Sequence, residues 1–138
     1  MPRLAVALAL VLCLSGCGSE LPDGERVPLL TGPPSAKGTS CLGCFTFGVT
    51  GQLVADPTYG TAVIVTGPTA GRSVLAWRAG FSARRTDSNV VVLDPDGNVA
   101  AVTGRTYYFP GGYVPAGGSS LVWPDLPVDV FWTCDTVK

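Results

Sequence analysis

The chain of 138 residues contains no histidine. Without an imidazole there is no Ser-His-Asp or Cys-His set, and the commonest ligands of catalytic zinc are missing too. Glutamate stops at Glu25, so carboxylate chemistry beyond it falls to Asp56, Asp87, Asp94, Asp96, Asp125, Asp129 and Asp135. Most of these adjoin Pro or Gly, the setting of a turn-forming Asp rather than of the paired cleft carboxylates of a glycosidase. Charge is scarce, at 14% of residues with a net value of −1. That lacks the dense basic stripe of a nucleic-acid-binding surface. No G-x-x-x-x-G-K-[ST] occurs, and no G-x-G-x-x-G opens a helix after a strand, so phosphate-loop enzymes are excluded. Sustained helical spacing is absent; Leu75 to Ala79 reads at most as one helical turn, ended by Gly80. These gaps point away from an enzyme and imply no metal and no cofactor.

The amino terminus carries the clearest signal. Arg3 supplies a positive charge, and Leu4 to Leu14 then runs without any. A run of about 11 residues suits a signal h-region and falls well short of the roughly 20 needed to span a bilayer. Small residues Ser15 and Gly16 precede Cys17. Leu14-Ser15-Gly16-Cys17 resembles the lipobox of bacterial lipoproteins at all four positions. The resemblance implies that residues 1–16 are a lipoprotein signal peptide, that Cys17 becomes the first mature residue, and that its thiol takes a diacylglyceryl group. Palmitate-type acylation of the new amine is implied as well. Two or more acyl chains give stable attachment, since each buried methylene contributes about 0.8 kcal/mol and a single chain anchors only marginally. The expected location is the extracytoplasmic face of the cell membrane.

Residues 17–40 read as a flexible, Pro/Gly-rich tether. Pro22, Pro28, Pro33 and Pro34 stand among Gly, Ser and Thr, and such a tract buries too little apolar surface to offset its ordering entropy. Val27, Leu29 and Leu30 are the apolar exception, suited to docking on a neighbouring domain. From Cys41 the pattern changes, and residues 41–138 are enough for one small domain with one core. Short runs rich in Val, Thr and aromatics alternate with turn residues, the all-β pattern. Strands are expected near Phe45–Val54, Thr61–Thr66, Ser73–Trp77, Val90–Asp94, Val99–Thr103, Thr106–Phe109 and Val128–Cys134. Asp94-Pro95-Asp96-Gly97-Asn98 suits a type I turn, with Pro at the second position. As a calcium loop it fails, because Gly belongs at the sixth place and Glu at the twelfth. Seven short strands with Gly-rich breaks favour a small closed or nearly closed, OB-like barrel, which removes exposed edges. A small β-sandwich is the alternative.

Cys41, Cys44 and Cys134 remain beside Cys17 once Cys13 leaves with the signal. The exported setting permits disulfides. Cys44–Cys134 would tie the first strand to the last, with Cys41–Cys134 as the alternative. In the chain-entropy model a loop of that size stabilises by roughly 4–5 kcal/mol. Cys41-Leu42-Gly43-Cys44 is also a C-x-x-C, so thiol–disulfide redox chemistry is a second reading. It lacks the helix start and βαβ setting that lower a redox thiol's pKa.

Aromatics offer the remaining contacts. Trp77 and Trp132 read as core. Phe131-Trp132 and Tyr107-Tyr108 must each point to opposite faces of a strand. Trp123, in a loop-like tract, and Tyr113, after a Gly111-Gly112 turn, are the candidate ligand contacts, which suits a carbohydrate-binding module. Arg84-Arg85 is the one local cationic cluster, a solvated loop face or a contact with anionic phosphate. Gly60-Thr61-Ala62, Trp77 to Ser82 and Val92 to Gly97 also resemble segments of small lipoproteins of high-GC bacteria, a resemblance that implies no activity. The sequence thus reads as a lipid-anchored, extracytoplasmic β-domain with a binding or structural role in the cell envelope. The expected partners are the membrane, through the anchor, and an envelope polymer or protein; the chain reads as a monomer.

Overall fold

The computed structural model describes residues 24–32, 47–68, 70–114, 116, 127–133 and 137–138. Among them run nine strands: β1 (Glu25–Val27), β2 (Gly48–Asp56), β3 (Gly60–Val65), β4 (Gly71–Ala76), β5 (Ser82–Arg85), β6 (Val90–Leu93), β7 (Val99–Val102), β8 (Thr106–Val114) and β9 (Val130–Thr133). Five of them close a barrel in the order β2-β3-β4-β9-β8, with β8 returning to pair with β2. The other four form an antiparallel sheet, β1-β5-β6-β7. The fold is therefore the expected all-β barrel and not the sandwich.

Alternation builds the barrel wall. In β2, Val49, Gly51 and Leu53 are buried while Thr50 and Gln52 are exposed. The period of two sends every second side chain to the interior. The barrel pairs are antiparallel except β4 with β9, where Val74, Leu75 and Ala76 match Val130, Phe131 and Trp132. Parallel neighbours cannot be joined by a tight turn, and the chain between them supplies β5 to β8. Three strands of the second sheet, β5 to β7, are thus inserted in the crossover of the barrel, and β1 joins them from the amino-terminal side.

One core spans both layers. Val49, Leu53, Val63, Leu75, Phe109 and Phe131 from the barrel join Val92 of β6 and Ala101 of β7 in a single buried cluster. Trp77, at the end of β4, is the hinge of this packing. Its ring stacks on Phe81 at 5.5 Å and meets Phe109 edge-on at 6.5 Å. Its indole N–H donates to the Thr61 hydroxyl at 2.9 Å, fully inside. A smaller apolar cluster of Val74, Ala76 and Val130 lies on the other side of the β4–β9 pair, with Leu30, Tyr59 and Trp132 packed against it.

Four local expectations are corrected. Residues 24–32, placed in the tether, belong to the fold: Glu25, Arg26 and Val27 pair with Arg85, Arg84 and Ala83. Leu29 packs on the main core and Leu30 on the smaller cluster, so the apolar exception in that tract does dock. Leu30 accepts from the Trp77 amide at 2.9 Å, and Gly32 donates to the Trp77 carbonyl at 2.8 Å. Gly60, at φ 91°, makes room here, because any Cβ would overlap the Pro28 carbonyl. Arg84-Arg85 lies on β5 rather than in a loop. Leu75 and Ala76 finish a strand instead of starting a helical turn. Finally, Gly111-Gly112-Tyr113 is not a turn, since β8 runs straight through Pro110 to Val114. The ladder with β2 ends at Pro110 and that with β9 begins at Gly111. Proline, which has no N–H to give, sits at that handover.

Candidate functional site

The two ends of the barrel are finished differently. At the end holding Trp77, the chain from β5 to β7 folds over and contributes Val92 and Ala101 to the core. The opposite end, where β2 begins and β8 finishes, leaves aromatic rings at the surface. Phe47, just before β2, is 54% exposed and Tyr113, near the end of β8, 43%. The two are brought together by strand register. Gly48 pairs with Pro110, and the Gly111 amide donates to the Phe47 carbonyl at 3.1 Å. Their ring centroids stand 6.4 Å apart with planes at 61°. Tyr113 is directly opposite Phe131 in the β8–β9 ladder, and its ring meets the buried Phe131 ring edge-on at 5.0 Å. The result is a short aromatic chain from the core to solvent.

The backbone beneath these rings is tight. A Cβ on Gly111 would overlap the Trp132 carbonyl and the Phe131 ring. The glycine is therefore required by close approach between β8 and β9, not by turn geometry. Of the two residues proposed as ligand contacts, Tyr113 takes its place in this site and Trp123 lies outside the described residues. Phe47 was not singled out from sequence. Its parity with Val49 and Leu53 marks it as interior-facing, but only the three-dimensional position shows its ring left in solvent.

A concave surface lies at the insertion. A cavity of about 440 Å³ is lined by Arg78, Phe81, Asp94, Pro95, Val99 and Val137, among others. Asp94 is committed to its own turn. Its Oδ1 accepts from the amides of Asp96 and Asn98, both at 2.9 Å, and Oδ2 from the Asn98 side chain at 3.3 Å. The Asn98 amide foremost, joined by the Asn98 side chain and the amides of Asp96 and Gly97, holds this carboxyl below the usual range against an opposing desolvation that only the Asn98 amide exceeds. Such an anion is no proton donor at neutral pH. Gly97, at φ 86°, completes the expected turn.

Asp56 plays the same part in the β2–β3 turn. Its Oδ1 accepts from the amides of Thr58 at 2.9 Å and Tyr59 at 2.7 Å, while Oδ2 pairs with Arg72 at 2.6 Å. Desolvation raises this carboxyl, but the Arg72 hydrogen bond and the two amides together outweigh it and leave it below its ordinary value. Among the described residues no group of three or more potential metal ligands converges, and no helix is long and apolar enough to cross a membrane.

Trp77 is core, as expected, whereas Trp132 is only partly buried, against the smaller cluster. Cys17, Cys41, Cys44 and Cys134 lie outside the described residues, so neither disulfide pairing nor the C-x-x-C reading meets any geometry here. At the Phe47–Tyr113 end, the described surface offers stacking and apolar contact. Comparison with protein-family models, with curated proteins and with solved structures finds no match to this chain.

Proposed function

We propose that the protein is a lipid-anchored, extracytoplasmic β-barrel domain that binds an envelope ligand through the barrel end carrying Phe47 and Tyr113. The supporting observation is that these two rings, in mutual contact, are left in solvent while the aromatics at the other end are packed away. Burying an aromatic ring releases much more apolar surface from water than burying a small side chain. Two adjacent rings backed by Phe131 form a preorganised platform, which keeps the ordering cost of binding low. Planar or apolar faces, such as those of wall-polysaccharide sugar rings, fit such a platform, as oligosaccharides fit OB-type barrels. The anchor follows from Leu14-Ser15-Gly16-Cys17.

Two measurements test the reading. Calorimetric titration with soluble wall-glycan fragments is expected to give binding that weakens about tenfold in Tyr113→Ala, the size of a modest aromatic hot spot. Absence of binding, or equal binding by wild type, Tyr113→Ala and Phe47→Ala, rejects the platform. Fatty-acid labelling is expected in wild type and not in Cys17→Ala; equal labelling rejects the anchor.

A further inference from the structure

The docking of β1 on β5 has a consequence for where the domain sits. Gly24, at the start of this docked segment, stands seven residues after Cys17. A chain of that length spans at most about 25 Å, compared with about 80 Å for a free tether running to Cys41. On the reading that Cys17 is acylated, the β1–β5 edge of the second sheet is therefore the part of the described fold held nearest the bilayer.

That edge carries an unusual pair. Arg26 of β1 is directly opposite Arg84 of β5, so their side chains share one face of the sheet. Like charges directly opposite are destabilising in a strand pair. Neither has a carboxylate within ion-pair distance among the described residues, where the one salt bridge is Arg72–Asp56. Alternation puts Glu25, opposite Arg85, on the other face. Arg84 is held in position, its Nη1 donating to the Gly24 carbonyl at 3.2 Å, and Arg26 is exposed. Two guanidinium groups on one face, with no ion-pair partner among the described residues, suit an anionic phosphate, to which arginine donates bidentately.

We propose that Arg26 and Arg84 form a membrane-docking site for anionic phospholipid headgroups, which seats the β1–β5 edge on the bilayer and turns the Phe47–Tyr113 end away from the anchor strand. The proposal rests on the anchored reading above. The short reach from Cys17 supplies proximity, and the facing arginines supply charge complementarity. Each arginine near an anionic surface strengthens association about fivefold, and the effect is screened within a Debye length.

The test uses the full lipidated chain in vesicles of phosphatidylglycerol and phosphatidylcholine that contain a phosphatidylglycerol analogue with a photoreactive headgroup. Mass spectrometry of Cys17 comes first. Crosslinks are then expected on residues 24–28 and 82–86, falling by more than about tenfold in Arg26→Glu/Arg84→Glu and in 0.5 M salt. The charge-conserving Arg26→Lys/Arg84→Lys variant is expected to keep most of the labelling, and it controls for folding. Labelling of a lipidated, vesicle-bound chain that ignores charge reversal and salt overturns the arginine contact alone. Labelling centred on Phe47 and Tyr113 overturns it too. A chain with no acyl group at Cys17 that stays off the vesicles overturns the anchor, and the proposal with it.

Discussion

The two ends of this barrel bury the same kind of residue to opposite extents. At one end Trp77 is 1% exposed, stacked on Phe81 and bonded through its indole N–H to Thr61. At the other, Phe47 and Tyr113 keep about half of their surface in water. Ring chemistry does not explain the difference. The chain between β4 and β8 folds into a second sheet that covers the Trp77 end, and Val92 and Ala101 reach into the same core. Phe47 and Tyr113 are left exposed at the other end. At these two ends, whether an aromatic is buried or left in solvent follows from which end the insertion covers.

Substitutions at each end separate the packed end from the exposed one. Trp77→Ala removes a fully buried ring and leaves the Thr61 hydroxyl without its donor, so unfolding in urea is expected to show a loss of about 3–5 kcal/mol. A loss under about 1 kcal/mol would mean that the covered end is not tightly packed. Gly111→Ala asks whether the exposed end is loose in its backbone as well as its side chains. The overlap with the Trp132 carbonyl predicts a cost of about 1–3 kcal/mol in thermal unfolding; a neutral result would show that β8 and β9 part easily there.

Asp56→Ala deletes the acceptor of two turn amides at the covered end, with an expected loss of about 1–2 kcal/mol. The ion pair adds little, because Arg72 is half-exposed. The folded-state pKa of Asp56 lies below its ordinary value of 3.8. Its contribution is therefore complete above 3.8 and lost as pH falls through the lower, folded value. Stability measured from pH 5 downward should fall less steeply in Asp56→Ala than in wild type, and parallel curves would remove Asp56 as the cause. Phe47→Ala should be the mildest, within about 0.5 kcal/mol by melting temperature. A larger loss would assign Phe47 to the core and weaken its standing as a contact residue.

Much of the wall was legible in the chain. The alternation of Val49, Gly51 and Leu53, the paired aromatics Phe131-Trp132 and Tyr107-Tyr108, and the Asp-Pro turns all carry local periodicity or local hydrogen bonding, which act within a few residues. β1 and β5 were not legible, for a different reason in each. β1 is three residues long in a Pro-rich tract, and its only partner, β5, lies about 60 residues away. β5 is Ser-Ala-Arg-Arg, with Ala83 alone fully buried, so it has almost no apolar signal. Pro110-Gly111-Gly112 carries strong turn propensity, yet it lies in a strand because a proline is harmless where the strand changes neighbours and glycine is needed where β9 crowds in.

Periods of two and short-range chemistry thus made the class of fold, most turn and strand positions and the inward or outward parity of side chains readable in the chain alone. Only the tertiary structure decided which strands closed the barrel, where the amino-terminal segment docked, which barrel end was covered and which two arginines came face to face. Those outcomes depend on pairings between residues far apart in the chain, and a strand's own residues do not encode the identity of its neighbour.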